Sequence, residues 1–180
     1  MSDFIEFIDV HKSFGDRVIL DGVSFKVGKG KTFAILGPSG IGKTVTITHI
    51  VGLLKPDSGK IIVDGQDITN FNESDFGPIR KKVQLVFQSG ALFDSLTVGE
   101  NVAFPLADTG LPDDEIARRV REKLELVEIE DLADRMPSQL STGMKRAVAI
   151  ARALAVEPQA ILYDEPTTIV DPLMSQTINN

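Results

Sequence analysis

The first half of the chain alternates between short apolar runs and glycine-containing turns, which is the pattern of β-strands. Runs rich in β-branched and aromatic residues predict strands at 4–10, 23–27, 31–37, 59–65 and 82–88. One more such run returns near the end of the sequence, at 159–166. Strands are therefore expected at both ends of the chain, with helices between them.

Helical periodicity replaces this pattern after Gly42 and again between Leu96 and Val156. Pro112 and the three acidic residues behind it mark one helix start, because proline suits the first turn. Apolar residues then recur at helical spacing, at Ile116, Val120, Leu124 and Val127. A second amphipathic helix follows Ser141: Met144, Val148, Ala151 and Ala155 form its apolar stripe, and Lys145, Arg146 and Arg152 lie off it.

Composition narrows the function classes. The 180 residues carry a formal net charge of −7, which argues against bulk nucleic-acid binding. The chain has no cysteine and two histidines, so neither a disulfide nor a convincing zinc site is expected. No run approaches the roughly 18 apolar residues of a membrane span. We expect a soluble, cytosolic domain that reaches a membrane only through a partner.

The strongest chemical motif is "GPSGIGKT", between a predicted strand and a predicted helix. It matches the phosphate-binding P-loop, G-x-x-x-x-G-K-[ST], in which the backbone amides surround phosphate oxygens. In that motif Lys43 neutralises the terminal phosphates and the Thr44 hydroxyl binds Mg²⁺. The predicted nucleotide-binding residues are Gly37, Pro38, Ser39, Gly40, Ile41, Gly42, Lys43 and Thr44.

Four further residues, in three segments of the chain, become candidate site residues once a P-loop is present. "AILYDE" is an apolar strand that ends in two acids, so Asp164 is expected beside the metal and Glu165 where it can orient or deprotonate water. Gln88 ends another predicted strand, just before the helical segment. Phe14 is either a core residue or an aromatic face that stacks on adenine.

"QLSTGM", residues 139–144, has no charged side chain, yet a predicted helix starts directly behind it. Ser141 is a good helix cap, and the amides of the first turn have no intrahelical partner. Such a helix start is either an ordinary capped end or an anion site.

Taken together and in this order, these residues resemble the nucleotide-binding subunits of ATP-binding-cassette transporters over essentially all 180 positions. The resemblance implies an α/β fold: a P-loop NTPase (RecA-like) core with an N-terminal antiparallel β-subdomain and an inserted α-helical subdomain. It implies one cassette over 1–180 that is incomplete at its C-terminus, with its core at 1–90 and 157–180 and its helical subdomain at 91–156.

The same resemblance implies the roles of the site residues. In this family two subunits pack head to tail, so Ser141, Thr142 and Gly143 of one homodimer subunit would meet the ATP held by the P-loop of the other. Lys43, Gln88 and Glu165 would be catalytic, with Glu165 polarising the attacking water. The metal shell of Mg²⁺ would be Thr44, Gln88 and Asp164, and Asp171 would mark the D-loop.

The sequence departs from the family pattern at three places. The signature reads "LSTGM" where "LSGGQ" is commonest, and Met144 cannot hydrogen-bond a ribose. "TTIVD" is an unusual lead into the D-loop. The family's switch histidine would lie beyond Asn180, so we expect the 180-residue chain alone to hydrolyse ATP poorly.

A separate transmembrane permease is implied as the second partner, with the subunit peripheral at the cytoplasmic side of the inner membrane. Apolar residues after Gln88, among them Ala91, Leu92, Phe93 and Leu96, lie where the family docks that permease. The segments 87–106 and 164–174 are similar to the lipid-handling, Mla-type branch, which suggests phospholipid cargo. Alternatives are a non-transport clamp ATPase, a small-molecule kinase and a nucleotide-binding regulatory module with little turnover.

Overall fold

The computed structural model describes residues 3–164. The chain divides into two compact units between Val83 and Gln84. We call these the N-terminal and the C-terminal unit, and each is described by itself. Glu165, Asp171 and the predicted D-loop lie outside the described residues.

The N-terminal unit is built on an antiparallel sheet whose four described strands run in the order β2-β1-β3-β4. Central strand β1 places Phe7 opposite Phe25 on one side and opposite Ile61 on the other, so these apolar side chains meet across the sheet. Phe7 and Ile61 are each 1% exposed and belong to the core. The strands are β1 (Asp3–Phe14), β2 (Arg17–Gly28), β3 (Ser58–Val63) and β4 (Gln66–Asp67).

Two helices complete this unit. Helix α1 (Lys43–Ile50) follows the P-loop and buries its last five residues, and α2 (Gly77–Lys82) precedes the unit boundary. The Arg80 guanidinium in α2 donates to Val51 O at 2.9 Å, and Lys82 Nζ lies 2.6 Å from Asp64 Oδ2. Two members of the basic run at 80–82, Arg80 and Lys82, therefore make specific bonds within this unit.

The strand predicted at 31–37 is wrong: this stretch has no regular secondary structure, and none of the described strands pairs with it. A strand needs a neighbour to bond its amides and carbonyls. Leu36 is 88% exposed, whereas Phe33 stacks on Phe25 with ring centroids 5.0 Å apart. The apolar pattern was read correctly, but the pairing that makes such a run a strand is absent from the described part of the chain.

The C-terminal unit combines a two-stranded sheet with three helices, among the residues described. Strand β5 (Val83–Val86), whose first residue closes the N-terminal unit, pairs with β6 (Ala160–Tyr163). Both are shorter than the predicted runs. The helices are α3 (Val98–Ala103), α4 (Asp113–Leu126) and α5 (Thr142–Ala155), joined by short 3₁₀ turns.

Helix α5 packs on two sides, where a single apolar stripe was predicted. Val148, Ala151 and Ala155 are buried among residues of α3 and α4. Ala149 and Ala153 pack instead with Val86 of β5, next to Ile161 and Tyr163 of β6. Alanine on both sides lets the helix approach the sheet and the other helices closely. Met144, the first residue of the predicted stripe, is 37% exposed.

Among residues 3–164, no helix is both long and apolar enough to cross a bilayer.

His49 lies in helix α1 behind the P-loop and is only 1% exposed. Its Nδ1 lies 2.5 Å from Val45 O, and its Nε2 has no hydrogen-bond partner among the described residues. Burial lowers the pKa of His49 below its ordinary value, and the charge of Lys12 lowers it further. Protonation is therefore disfavoured in the folded chain.

We predict that acidification destabilises the chain through His49. Below the ordinary histidine pKa of 6.5, this histidine binds a proton in the unfolded chain but stays neutral in the folded chain. Because the unfolded chain then binds more protons, the free energy of unfolding falls as the pH falls. The slope from this group should be at most about 1.4 kcal/mol per pH unit. Urea unfolding between pH 7.5 and 5 measures it, and His49→Gln should reduce the slope. An unchanged slope in the variant would contradict the prediction.

Candidate nucleotide-binding site

The P-loop enters helix α1 through glycines in left-handed backbone conformations. Gly40 has φ +80° and Gly42, the N-cap of α1, has φ +104°. A Cβ built on Gly42 would lie 3.0 Å from Ile19 Cγ2 and 3.1 Å from Leu20 Cδ2. Both the conformation and the space therefore demand glycine here.

Lys43 is the first residue of α1, and its ammonium folds back over the loop. Its Nζ donates to Gly37 O and to Pro38 O, both at 3.0 Å. This places a cation over the loop, where a terminal phosphate would lie in a P-loop site. The remaining predicted loop residues Ser39, Gly40 and Ile41 are exposed, as is Thr44 in the first turn of the helix.

Phe14 is the last residue of β1 and is 49% exposed, so it is no core residue. The ammonium of Lys12 lies 5.5 Å from the centroid of its ring. One face of the ring thus carries a cation, and an adenine would have to stack on the other face or displace the lysine.

The signature segment forms a capped helix start, as predicted. Ser141 is the N-cap of α5, and its Oγ accepts the Met144 amide at 3.2 Å. This bond uses a lone pair of the hydroxyl and leaves its proton to donate. Ser141, Thr142 and Gly143 are all exposed. The threonine that replaces glycine is the first helical residue, so the helical first turn forms with it.

Gln88 and Asp164 follow two paired strands. The Asp164 amide donates to Val86 O at 3.0 Å, and Gln88 lies two residues beyond Val86. The structure therefore brings both predicted metal-shell residues to the ends of β5 and β6. Gln88 is exposed and Asp164 is half-buried. The P-loop belongs to the N-terminal unit and this pair to the C-terminal unit.

Sequence reasoning missed the side chains that hold the segment after Gln88. Arg146 Nε donates to Gln88 O at 3.1 Å, and the Arg152 guanidinium donates to Gly90 O and Ala91 O, each at 2.9 Å. Burial lowers the pKa of Arg152. In the sequence, the only indication of these bonds is a pair of arginines, six residues apart, in an alanine-rich helix. Their spacing does not show which backbone carbonyls they bond.

The chemistry of these residues fits Mg²⁺ and a nucleoside triphosphate. A hydroxyl (Thr44), an amide (Gln88) and a carboxylate (Asp164) are oxygen donors of the kind that Mg²⁺ takes, usually with few carboxylates and with substrate phosphates. Among residues 3–164, no cluster of three or more His, Cys, Asp or Glu residues is suited to hold a metal ion. The glycine-shaped start of α1 fits a phosphate.

Comparison with known families decides the assignment. The family model described as ABC transporter matches residues 20–168. The chain belongs to the ABC transporter family. The match spans the P-loop, Gln88, the signature and the acidic strand end, which are the motifs that carried the resemblance. The fold class predicted from the sequence is thereby confirmed, because solved ABC cassettes also share the fold of this chain.

Named relatives in this ABC family serve different cargoes. The chain is 48% identical over 160 residues to the intermembrane phospholipid transport system ATP-binding protein MlaF of Haemophilus influenzae, covering 88% of this chain and 61% of that protein. It is 42% identical over 174 residues to the methionine import ATP-binding protein MetN of Brucella abortus, covering 97% and 47%. The chain thus spans about half to two-thirds the length of these relatives.

Among solved structures, the chain is similar to the bacterial ABC transporter cassette MJ0796, which was solved as a dimer. The TM-score is 0.91 at 34% identity, covering 97% of this chain and 79% of that cassette.

Capping of α5 by Ser141 makes a stability prediction. Ser141→Ala removes the acceptor of the Met144 amide, so the free energy of unfolding should fall by about 1 kcal/mol. Ser141→Asp should retain stability, because aspartate caps a helix equally well and its charge suits the helix dipole. Urea unfolding followed by far-ultraviolet circular dichroism compares the variants with the wild type. Equal stability of Ser141→Ala and the wild type would contradict the capping role.

Proposed function

We propose that this chain is the nucleotide-binding portion of an ATPase subunit that powers a membrane transporter. The observation that carries the proposal is the start of α1, where Gly42 at φ +104° and the folded-back Lys43 ammonium form a P-loop geometry. Family membership supports the same conclusion. The triphosphate of ATP matches both the amides of this helix start and the lysine charge.

Each predicted site residue has its own role in ATP hydrolysis. Lys43 would bind the β- and γ-phosphates. Thr44, Gln88 and Asp164 would hold Mg²⁺, whose charge would offset that of the phosphate oxygens. Glu165 follows Asp164 in the sequence and orients and deprotonates the attacking water. Phe14 stacks on the adenine from its exposed ring face.

Two copies act together in a head-to-tail homodimer. The exposed helix start at Ser141, Thr142 and Gly143 has donors but no lysine or arginine among them, so it suits an anion whose counter-charge comes from elsewhere. The P-loop lysine of the second copy supplies that charge. The dimeric cassette MJ0796 is a precedent for such pairing in the family. ATP then bridges two subunits, and hydrolysis removes the bridge.

The permease binds the segment after Gln88. Phe93 and Phe104 lie side by side, with ring centroids 4.4 Å apart, although they are 41% and 52% exposed. A paired, solvent-facing aromatic surface is what a partner helix would cover. Leu92 instead packs inward. Docking there would place the subunit at the cytoplasmic face of the inner membrane.

We also propose that the cassette has a catalytic core at 1–90 and 157–180 and a helical subdomain at 91–156.

Substitution of Glu165 tests this function in the intact protein with its permease. Glu165→Gln should preserve ATP binding and lower kcat about 10²- to 10⁴-fold, because the base is lost while the phosphate contacts stay. The trapped ATP should also drive dimerisation, which size-exclusion chromatography with light scattering measures.

Lys43→Ala is the matched control, since it should lose ATP binding and therefore dimerisation. A kinase would not dimerise on ATP, and a regulatory module would show no Lys43-dependent phosphate release in the wild type. Either result would overturn the proposal.

We further infer that the cargo is a phospholipid. The support is the similarity to MlaF, together with the lipid-branch character of segments 87–106 and 164–174. The similarity to MetN favours methionine as the competing cargo.

The two cargoes can be separated with the intact subunit and its permease in proteoliposomes. Lys43-dependent ATP hydrolysis should rise when the bilayer contains transportable phospholipid and should ignore added methionine with its binding protein. Stimulation by methionine alone would reject the lipid assignment and leave the ATPase assignment standing.

A further inference from the structure

The segment between β5 and α3 lacks regular secondary structure, yet its backbone is pressed against helix α5. Gly90 is buried, with φ +80°, and a Cβ added to it would lie 3.1 Å from Lys145 O. Ala91 follows with φ +44°, a conformation that residues with a side chain seldom adopt. This left-handed turn at Gly90 and Ala91 therefore needs stabilising contacts from the rest of the unit.

Arg152 of α5 provides that hold. Its two terminal nitrogens donate to two successive carbonyls, Gly90 O and Ala91 O, each at 2.9 Å. The planar fork of a guanidinium can bond both at once, whereas a lysine ammonium is a single point of charge. The same guanidinium lies 5.8 Å from the ring centroid of Phe93. One side chain therefore contacts both the left-handed turn and the exposed aromatic surface.

Arg146 holds the other end of the turn. It is 8% exposed, and its Nε donates to Gln88 O at 3.1 Å. Arg146 and Arg152 belong to the helix that begins at the Ser141 cap. At 1.5 Å per residue, Arg152 lies about 16 Å along the axis from Ser141. Because an α-helix is stiff over this length, the turn after Gln88 and the Ser141 end are attached to one body.

Asn101 of α3 fixes the segment beyond the turn. It is completely buried; its Oδ1 accepts the Phe93 amide at 2.9 Å, and its Nδ2 donates to Phe93 O at 3.1 Å. The aromatic surface is therefore anchored at Phe93, and the turn between Gln88 and Phe93 connects it to α5 through the arginines. Only Leu92 separates Phe93 from the nearer carbonyl that Arg152 bonds, so a displacement of Phe93 would act directly on that bonded turn.

We propose that Arg152 is a positioning residue that fixes the Gly90–Ala91 turn behind Gln88 and mechanically connects the Phe93–Phe104 surface to the Ser141 end of α5. This inference rests on the proposed function, because that function assigns the permease to the Phe93–Phe104 surface and a nucleotide to the Ser141 end. Arg152 itself contacts no nucleotide. Its effect is on where the Gln88 turn lies and on how far a partner bound at Phe93 can influence the helix start.

The test uses the intact protein with its permease and compares Arg152→Lys and Arg152→Met with Arg118→Met. Arg118 is a matched control, because its side chain lies on α4 and pairs with Glu115 and Glu122 at the surface. Both Arg152 variants should lower kcat of the assembled transporter by about 10- to 100-fold through misplacement of Gln88. The KM for ATP should change less than about twofold, because the P-loop is untouched.

A second readout reports on position and does not require turnover. Hydrogen exchange of the nucleotide-free intact protein should become faster at the amides of 88–93 in both Arg152 variants and stay unchanged in Arg118→Met. Arg152→Lys keeps the charge and the aliphatic stem, so it tests the loss of the guanidinium fork alone, even if Arg152→Met fails to fold. We expect kcat to be higher in Arg152→Lys than in Arg152→Met.

The failures are distinguishable. If the wild-type complex hydrolyses ATP in a Lys43-dependent way and the Arg152 variants match its kcat and its exchange, the positioning role is refuted while the ATPase stands. If the wild type shows no such hydrolysis, the proposed function falls and the linkage falls with it. A parallel loss of kcat, thermal stability and ATP affinity in both variants would reduce Arg152 to a folding residue and also refute the proposal.

Discussion

The first turn of an α-helix has amides that the helix itself cannot bond, and this constraint shapes both helix starts at which site residues are predicted. Helix α1 begins at Gly42, which has no side chain to cap it, whereas α5 begins at Ser141, which bonds the Met144 amide. Lys43 follows Gly42 directly, and its ammonium folds back over the loop carbonyls of Gly37 and Pro38. The cap on α5 occupies one lone pair of the Ser141 hydroxyl and leaves its proton to donate. The two helix starts thus differ in charge: the first carries a cation, and the second carries only neutral donors.

Helix α5 is also the support on which the rest of the C-terminal unit is assembled. Its Ala149–Ala153 side packs on β5 and β6, the strands that lead to Gln88 and Asp164. Its Val148–Ala155 side packs on α3 and α4. Small side chains allow this double contact. The orientation of α5 therefore sets the Ser141 end together with the strands that lead to Gln88 and Asp164, the predicted metal-shell residues.

Sequence patterns predicted those parts whose cause is local. The Ser141 cap, the amphipathic α4 and the glycines before α1 follow from residue chemistry over a few positions, and they were found. The run at 31–37 had the right residues but no strand to pair with among those described, since pairing is a non-local property. The spacing of apolar residues predicts that Arg146 and Arg152 lie off the apolar stripe. It cannot show that they bond carbonyls of a loop some sixty residues away in the sequence. Glu165 and Asp171 stay predictions, outside the described residues.

The unusual signature gains a physical interpretation from this arrangement. The Met144 amide bonds the Ser141 hydroxyl, so the capped helix start forms with threonine at position 142 and methionine at position 144. What Met144 removes is a hydrogen bond that a glutamine could give to a nucleotide in trans. In the proposed head-to-tail dimer, the remaining donors in trans would be the Ser141 hydroxyl and the backbone amides, whose direction follows the helix axis rather than a rotatable side chain. A cassette with this signature would therefore depend more heavily on the orientation of α5, and hence on the bonds that Arg146 and Arg152 make to the Gln88 turn.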